Sequence, residues 1–189
     1  PTTGDSDAAN LAAEAVAAAS APAGSPATSG IGEAARLVAG QPRLDGPSLE
    51  TAMNALLTST DAAAAPVHAV AITEQQLFTR ANALSNPKAE IGGWQPPGPT
   101  PVADFPAVLL SGDWISEEQA SGASEFERFL LKPEQLSALT TAGFRTEDNV
   151  PPANDVVDVA PVASTLVIGD DAARVSVAGV LAAPSGSVT

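Results

Sequence analysis

Apolar positions recur three to four residues apart along most of the chain, which is the spacing of one face of an α-helix. The spacing is clearest in residues 45–59, where Leu49, Met53, Leu56 and Leu57 share one stripe. The same spacing, or a run of strong helix formers, predicts further helices at 5–20, 29–40, 73–84, 116–131, 133–142 and 170–183. A chain rich in amphipathic helices is therefore expected.

Residues that start and stop helices stand at the ends of these patterns. Thr73 and Ser116 are predicted N-caps, and Pro133 suits the first turn of a helix. Gly143 is the predicted C-terminal stop, with Phe144 folding back on the apolar stripe. The stretch 126–145, "FERFLLKPEQLSALTTAGFR", is thus predicted to form two consecutive helices on a common core.

Two apolar runs are too short for core helices. Residues 67–73, "VHAVAIT", and 106–112, "PAVLLSG", are predicted to be buried strands, and 164–168 is a candidate third strand. Helices that alternate with strands favour an α/β domain over a helix bundle. The proline-rich, acidic residues 146–163 are predicted to be a linker between a domain at 1–145 and an extra strand and helix at 164–189, which lead toward a following domain.

Composition narrows the range of partners. The formal net charge of -14 repels phosphate backbones, so nucleic acid is not an expected partner. Cysteine is absent, and no apolar run reaches the roughly 20 residues of a membrane helix. The chain starts at Pro1 without a methionine, and we interpret it as a processed or excised piece of a longer protein.

The order of motifs at residues 67–145 resembles the C-terminal part of a type II periplasmic solute-binding protein. The stretches are "ITEQQLF" at 72–78, "ADFPAVLLSGDWIS" at 103–116 and the helix pair at 126–145. The closing-helix pattern of that family is matched by Phe126, Phe129, Leu130, Leu131, Pro133, Glu134, Gln135, Leu139, Gly143, Phe144 and Arg145.

The chain is more specifically similar to the solute-binding domain that precedes a von Willebrand factor A domain in actinobacterial envelope proteins. The resemblance implies a three-layer α/β lobe in which helices flank a short mixed sheet, and it implies mostly one lobe of a two-lobed fold. It also implies an extracytoplasmic location, in the cell envelope or secreted. A von Willebrand factor A domain would begin after Thr189.

Five residues are predicted to bind a solute. Thr73, Glu74 and Gln75 would follow a buried strand and open a helix, where free N–H groups face a cleft; ordinary helix capping is the alternative. Thr3 and Ser6 precede a helix and could hold an oxyanion, with a frayed terminus as the alternative.

No phosphate loop, serine nucleophile elbow or zinc-helix motif is present. We therefore predict that the chain is not an enzyme and carries no metal or cofactor. The predicted function is non-catalytic solute binding outside the cytoplasm. The alternative is a protein–protein interaction or scaffold module of a cell-envelope protein, which would expose a contiguous apolar patch of more than a few hundred Å².

Overall fold

The computed structural model describes residues 6–46, 48–61, 63–86, 91–95, 98–146, 148–155 and 157–182. Its regular structure is helical, as the periodicity predicts for each helix. A 3-10 turn at Ala27–Gly30 leads into the second α-helix. The α-helices are α1 (Ser6–Ser20), α2 (Ile31–Ala39), α3 (Leu49–Leu57), α4 (Glu74–Ala81), α5 (Glu117–Leu130), α6 (Pro133–Thr141) and α7 (Asp171–Ala182).

The predicted α/β fold with a mixed sheet is wrong, because the described residues contain no strand and no sheet. Residues 67–73 and 106–112 adopt no regular structure. The predicted strand at 164–168 contributes only one isolated parallel bridge, from Thr165 to Thr100. A strand needs a neighbour that takes up its backbone hydrogen bonds, and an apolar run by itself does not supply that neighbour.

The larger core packs the first described helix, α1, against the last, α7. Ala13 and Ala17 of α1 and Ala34 of α2 are buried together with Ile168 and with Val177 of α7. Alanine lets helices approach closely but removes little apolar area from water, whereas each buried isoleucine or valine contributes roughly 1.5–3 kcal/mol. Ile168 and Val177, from the segment before α7 and from α7 itself, therefore supply much of the cohesion of a core whose other buried members are alanines.

A smaller core surrounds α4. Leu77 and Ala81 are buried against Val157, with Ile72 and Ile91 packed beside them. Val157 belongs to the proline-rich stretch 146–163, so this part of the predicted linker packs on a helix about 80 residues earlier in the sequence.

The predicted caps are confirmed where the structure describes them. The Thr73 hydroxyl accepts a hydrogen bond from the Gln76 amide at 3.2 Å. Ser116 and Gln119 form a complete capping box, in which the Ser116 hydroxyl accepts from the Gln119 amide and the Gln119 side chain accepts from the Ser116 amide. These bonds are local, so residue type and spacing are sufficient to predict them.

The predicted stop at Gly143 is also confirmed, and it is a Schellman motif. The Gly143 amide donates to Thr140 O at 3.0 Å, and the Phe144 amide donates to Leu139 O at 3.1 Å. Gly143 has φ +99°, and a Cβ at this position would lie 2.7 Å from Cδ1 of Phe78. The turn therefore requires glycine both for its backbone conformation and for the space beside Phe78.

Replacing Gly143 with alanine is expected to lower the free energy of unfolding by about 2 kcal/mol, because a left-handed φ and a steric overlap are both imposed. Urea unfolding followed by far-UV circular dichroism measures the change. Gly122→Ala is the control, because Gly122 lies within α5 with no atom near its missing Cβ. The control should raise stability by about 0.5–1 kcal/mol, and equal losses in both variants would contradict the prediction.

Candidate functional site

Glu74, at the start of α4, and Arg145, the second residue after the Gly143 stop of α6, form an ion pair. Arg145 Nε donates to Glu74 Oε2 at 2.6 Å, and Arg145 Nη2 donates to Glu74 Oε1 at 2.8 Å. The Arg145 side chain is only 12% exposed and that of Glu74 is 33% exposed. Gln95 Nε2 donates the third hydrogen bond that the Glu74 carboxylate accepts, to Oε1 at 3.1 Å. Both carboxylate oxygens of Glu74 are thus engaged within the chain.

Arg145 also ties two later segments to α4. Its Nη1 donates to Asn149 O at 2.7 Å, and its Nη2 donates to Ala160 O at 2.8 Å. Asn149 has φ +58°, a left-handed conformation that asparagine tolerates better than most residues. One planar guanidinium therefore holds three stretches of chain together, which is a structural role that a fork of fixed donors performs well.

The other predicted ligand-binding residues differ in what the structure shows of them. Gln75 Nε2 donates to Ala142 O and to the Thr79 hydroxyl, both at 3.1 Å, and Thr73 caps α4. Thr3 lies outside the described residues, and Ser6 is the first residue of α1. The polar groups of Thr73, Glu74 and Gln75 meet partners of this chain, so the structure explains these residues through capping and packing. That they bind a solute stays a prediction.

An apolar cavity of about 150 Å³ lies among α1, α2, α3 and residues 67–71. Its wall includes Leu37, Val67, Val70 and Leu181, and Gln41 is the polar side chain among the lining residues. Small-molecule sites are larger, about 300–1,000 Å³, and place several polar groups to orient the ligand. Apart from Gln41, the side chains of this wall offer no polar group to orient a sugar, an amino acid or an oxyanion.

No cluster of three or more metal-ligating side chains is found in the described ranges. Nor does any helix there have the length and apolar character to cross a membrane.

Exposed apolar side chains are concentrated in one part of the chain. Of the sixteen large hydrophobic residues exposed in the described portion, eleven lie between Val102 and Leu139, about a fifth of the sequence. Val108 is 69% exposed, Trp114 72% and Phe126 62%. We group these residues by their place in the sequence and call them the 102–139 apolar surface: Val102, Phe105, Val108, Leu109, Leu110, Trp114, Phe126, Phe129, Leu131, Leu136 and Leu139.

The residues of the two helices of this surface are exposed or only partly buried within the described chain. Neither α5 nor α6 has a buried residue, although both were predicted to pack on a common core. The rings of Phe126 and Phe129 stack on each other with centroids 6.4 Å apart, and Phe105 meets Phe144 edge to face at 6.3 Å. The apolar stripes of these helices are therefore real, but no other part of the described protein covers them.

The charges around the 102–139 apolar surface are mostly negative. Residues 101–141 contain seven acidic side chains, while Arg128 and Lys132 are the basic ones. Lys132 lies with its Nζ 5.6 Å from the centre of the Phe129 ring, a cation–π contact. The region thus combines exposed aromatic and aliphatic groups with an excess of acidic side chains.

The chain is similar to proteins of Mycobacterium tuberculosis. Two relatives, from two strains of that organism and both described as uncharacterized proteins, are 53% identical to it over 188 residues. The match covers 100% of this chain but only 28% of each relative, so the chain spans about a quarter of their length. No protein-family model and no solved structure matches the chain.

Sequence reasoning did not identify the 102–139 apolar surface as a functional feature. The same apolar positions predicted a buried strand and two packed helices, because the pattern records which side is apolar and not what covers it. Concentration of aromatic residues was the available signal, since three of the five phenylalanines and Trp114 fall between residues 102 and 139.

Proposed function

We propose that this chain is a non-catalytic protein–protein interaction module of a longer protein. The observation that carries the proposal is the 102–139 apolar surface, whose side chains stay exposed while the rest of the described chain builds two cores. Monomeric soluble proteins rarely leave large apolar patches open to water, and such patches mark interaction sites. An extracytoplasmic location of this module is part of the proposal.

The residue types support a protein partner. Aromatic residues are enriched at the centres of protein interfaces, and a tryptophan in a desolvated pocket is a frequent hot spot. Trp114 and Phe126 are the aromatic anchors that this surface offers. The excess of acidic side chains in this region calls for a partner whose apolar face is bordered by lysine or arginine, because opposite charges speed association and disfavour wrong partners.

Solute binding by Thr73, Glu74 and Gln75 has weaker support. Their hydrogen bonds close within the chain, and the cavity described above is small and apolar. The α/β lobe on which that function depended is not present in the described residues. The interaction module is therefore the function that the geometry supports best.

Site-specific photo-cross-linking tests the proposal. The chain is produced in a mycobacterial host, because its relatives are mycobacterial, with a photo-reactive amino acid at Leu110, Phe126 or Leu37. Leu37 is the matched control: it is an exposed apolar residue of α2, outside the proposed surface. Several-fold higher yields of one and the same partner are expected at Leu110 and Phe126 than at Leu37.

Mass spectrometry of the cross-linked peptides then locates the contact on the partner. The proposal expects apolar partner residues with lysine or arginine nearby. No adduct, or equal yields at all three positions, would show that the 102–139 apolar surface does not bind a protein. A cross-link to a second copy of this chain would contradict the basic-rimmed partner.

A further inference from the structure

We propose that residues 106–111 bind this partner as an added β-strand, pairing with the open edge of a β-sheet in the partner. The inference rests on the proposed function and specifies the kind of partner that the 102–139 apolar surface takes. It is carried by the backbone of the segment, by its side chains and by its flanking charges.

The backbone of residues 106–111 has no turn, no bend and no neighbouring strand in the described chain. Residues 101–111 run without a turn, a bend or regular structure, and Pro101 and Pro106 carry no amide N–H. No backbone N–H or C=O of residues 106–111 hydrogen-bonds to another described residue. The nearest pairing is the Thr100 bridge, where the Thr100 amide donates to Ser164 O at 2.9 Å and Thr100 O accepts from the Leu166 amide at 2.8 Å. An unbent row of open donors and acceptors is the template for edge-to-edge pairing.

The side chains of the segment are apolar on both faces. Val108, Leu109 and Leu110 are consecutive and all are exposed. Successive side chains of an extended chain point to opposite sides, so a groove that gripped one face would leave the other face in water. Continuous apolar runs are typical of strands that are covered on both faces of a sheet. Pairing with the edge of a sheet that is itself covered on both faces accounts for the open backbone and for both apolar faces together.

The flanking charges disfavour a second copy of this chain as the partner. An antiparallel pair centred on residues 108 and 109 would set Asp104 of one copy opposite Asp113 of the other. A parallel pair in register would set each aspartate opposite itself. Like charges directly opposite each other are destabilising, and both copies carry a net charge of -14. The partner is therefore a different sheet edge, with basic residues near the ends of the paired strand.

Proline substitutions test the strand directly. Only alternate residues of a strand direct their N–H groups to a given edge, so removing single donors from positions 108–111 should have effects with a period of two. Each proline variant is compared with alanine at the same position, which removes the side chain but keeps the N–H group. The measurement is the cross-linking yield at position 126, which lies on α5 and outside the substituted segment.

Proline is expected to reduce the yield about five- to tenfold relative to alanine at alternate positions, which is the loss of one interface hydrogen bond. At the intervening positions proline and alanine should differ less than about twofold. Circular dichroism should be unchanged in all variants, because residues 106–111 make no hydrogen bond in the described fold.

The outcomes separate this inference from the proposed function. Equal yields for proline and alanine at every position would overturn strand pairing while the interaction module stands, since the contact would then depend on side chains alone. Failure of the unsubstituted chain to cross-link at position 126 would refute the interaction module and the strand pairing with it.

Discussion

Replacing Gly30 with alanine should lower the free energy of unfolding by about 3 kcal/mol or more, one of the two largest effects expected for this chain. A Cβ at Gly30 would lie 2.0 Å from the carbonyl oxygen of Ala17 and 2.9 Å from the amide nitrogen of Ala21. Both atoms belong to backbone, so no side-chain rotation relieves the overlap. The helices of the larger core would have to separate, and they are held by alanine contacts that tolerate little displacement.

Gly32 provides the matched control, two residues later. It lies in the first turn of α2, and no atom lies within 4 Å of its missing Cβ. Gly32→Ala should leave stability unchanged or raise it by up to about 1 kcal/mol through helix propensity. Urea unfolding followed by far-UV circular dichroism measures both variants, because Trp94 and Trp114 are exposed and report weakly on the core. Similar stabilities for the two variants would show that the α1 contact at Gly30 is not close-packed.

Replacing Arg145 with methionine is expected to cost about 3 kcal/mol of stability. The change keeps most of the side-chain volume but removes the hydrogen bonds to Glu74, Asn149 and Ala160. Removing one partner of a buried ion pair typically costs about 3–5 kcal/mol, and the lower end applies here because Glu74 is one-third exposed to water. Urea unfolding of the variant measures the loss.

The control for Arg145 is the other ion pair that the structure describes for an arginine, Arg36 with Glu33. Its atoms are also close, at 2.8 Å, but its side chains are 78% and 51% exposed. Arg36→Met should change stability by less than about 0.5 kcal/mol. A double-mutant cycle with Glu74→Gln isolates the coupling of Glu74 to Arg145. Equal losses for Arg145→Met and Arg36→Met would contradict the structural role of the buried guanidinium.

The contacts of Arg145 also bear on the proposed function. Arg145 joins α4 to the segment that follows α6, and α6 contributes Leu136 and Leu139 to the 102–139 apolar surface. If Arg145→Met reduced cross-linking at position 126 while residues 126–139 stayed helical, the attachment of α6 to α4 would be needed for binding. The ion pair would then act by positioning, without touching the partner.

The sequence by itself determined the helices and their ends. Stripes such as Leu49 and Met53, and caps such as Ser116 and Gly143, bring together residues at most five positions apart. Their hydrogen bonds and periodicity are local, so the residue types are enough to predict them.

Tertiary structure decided whether the apolar runs form strands and whether the polar residues predicted to bind a solute have partners within the chain. Residues 67–73 and 106–112 are apolar enough for strands, but the described chain offers neither run a neighbouring strand. In the sequence, Glu74 is a candidate ligand-binding residue. In the fold, Arg145, 71 residues away in sequence, donates hydrogen bonds to its carboxylate. The exposure of α5 and α6 has the same kind of cause. Periodicity gives a helix an apolar face, and only the packing of distant segments decides whether that face is buried or left exposed for a partner.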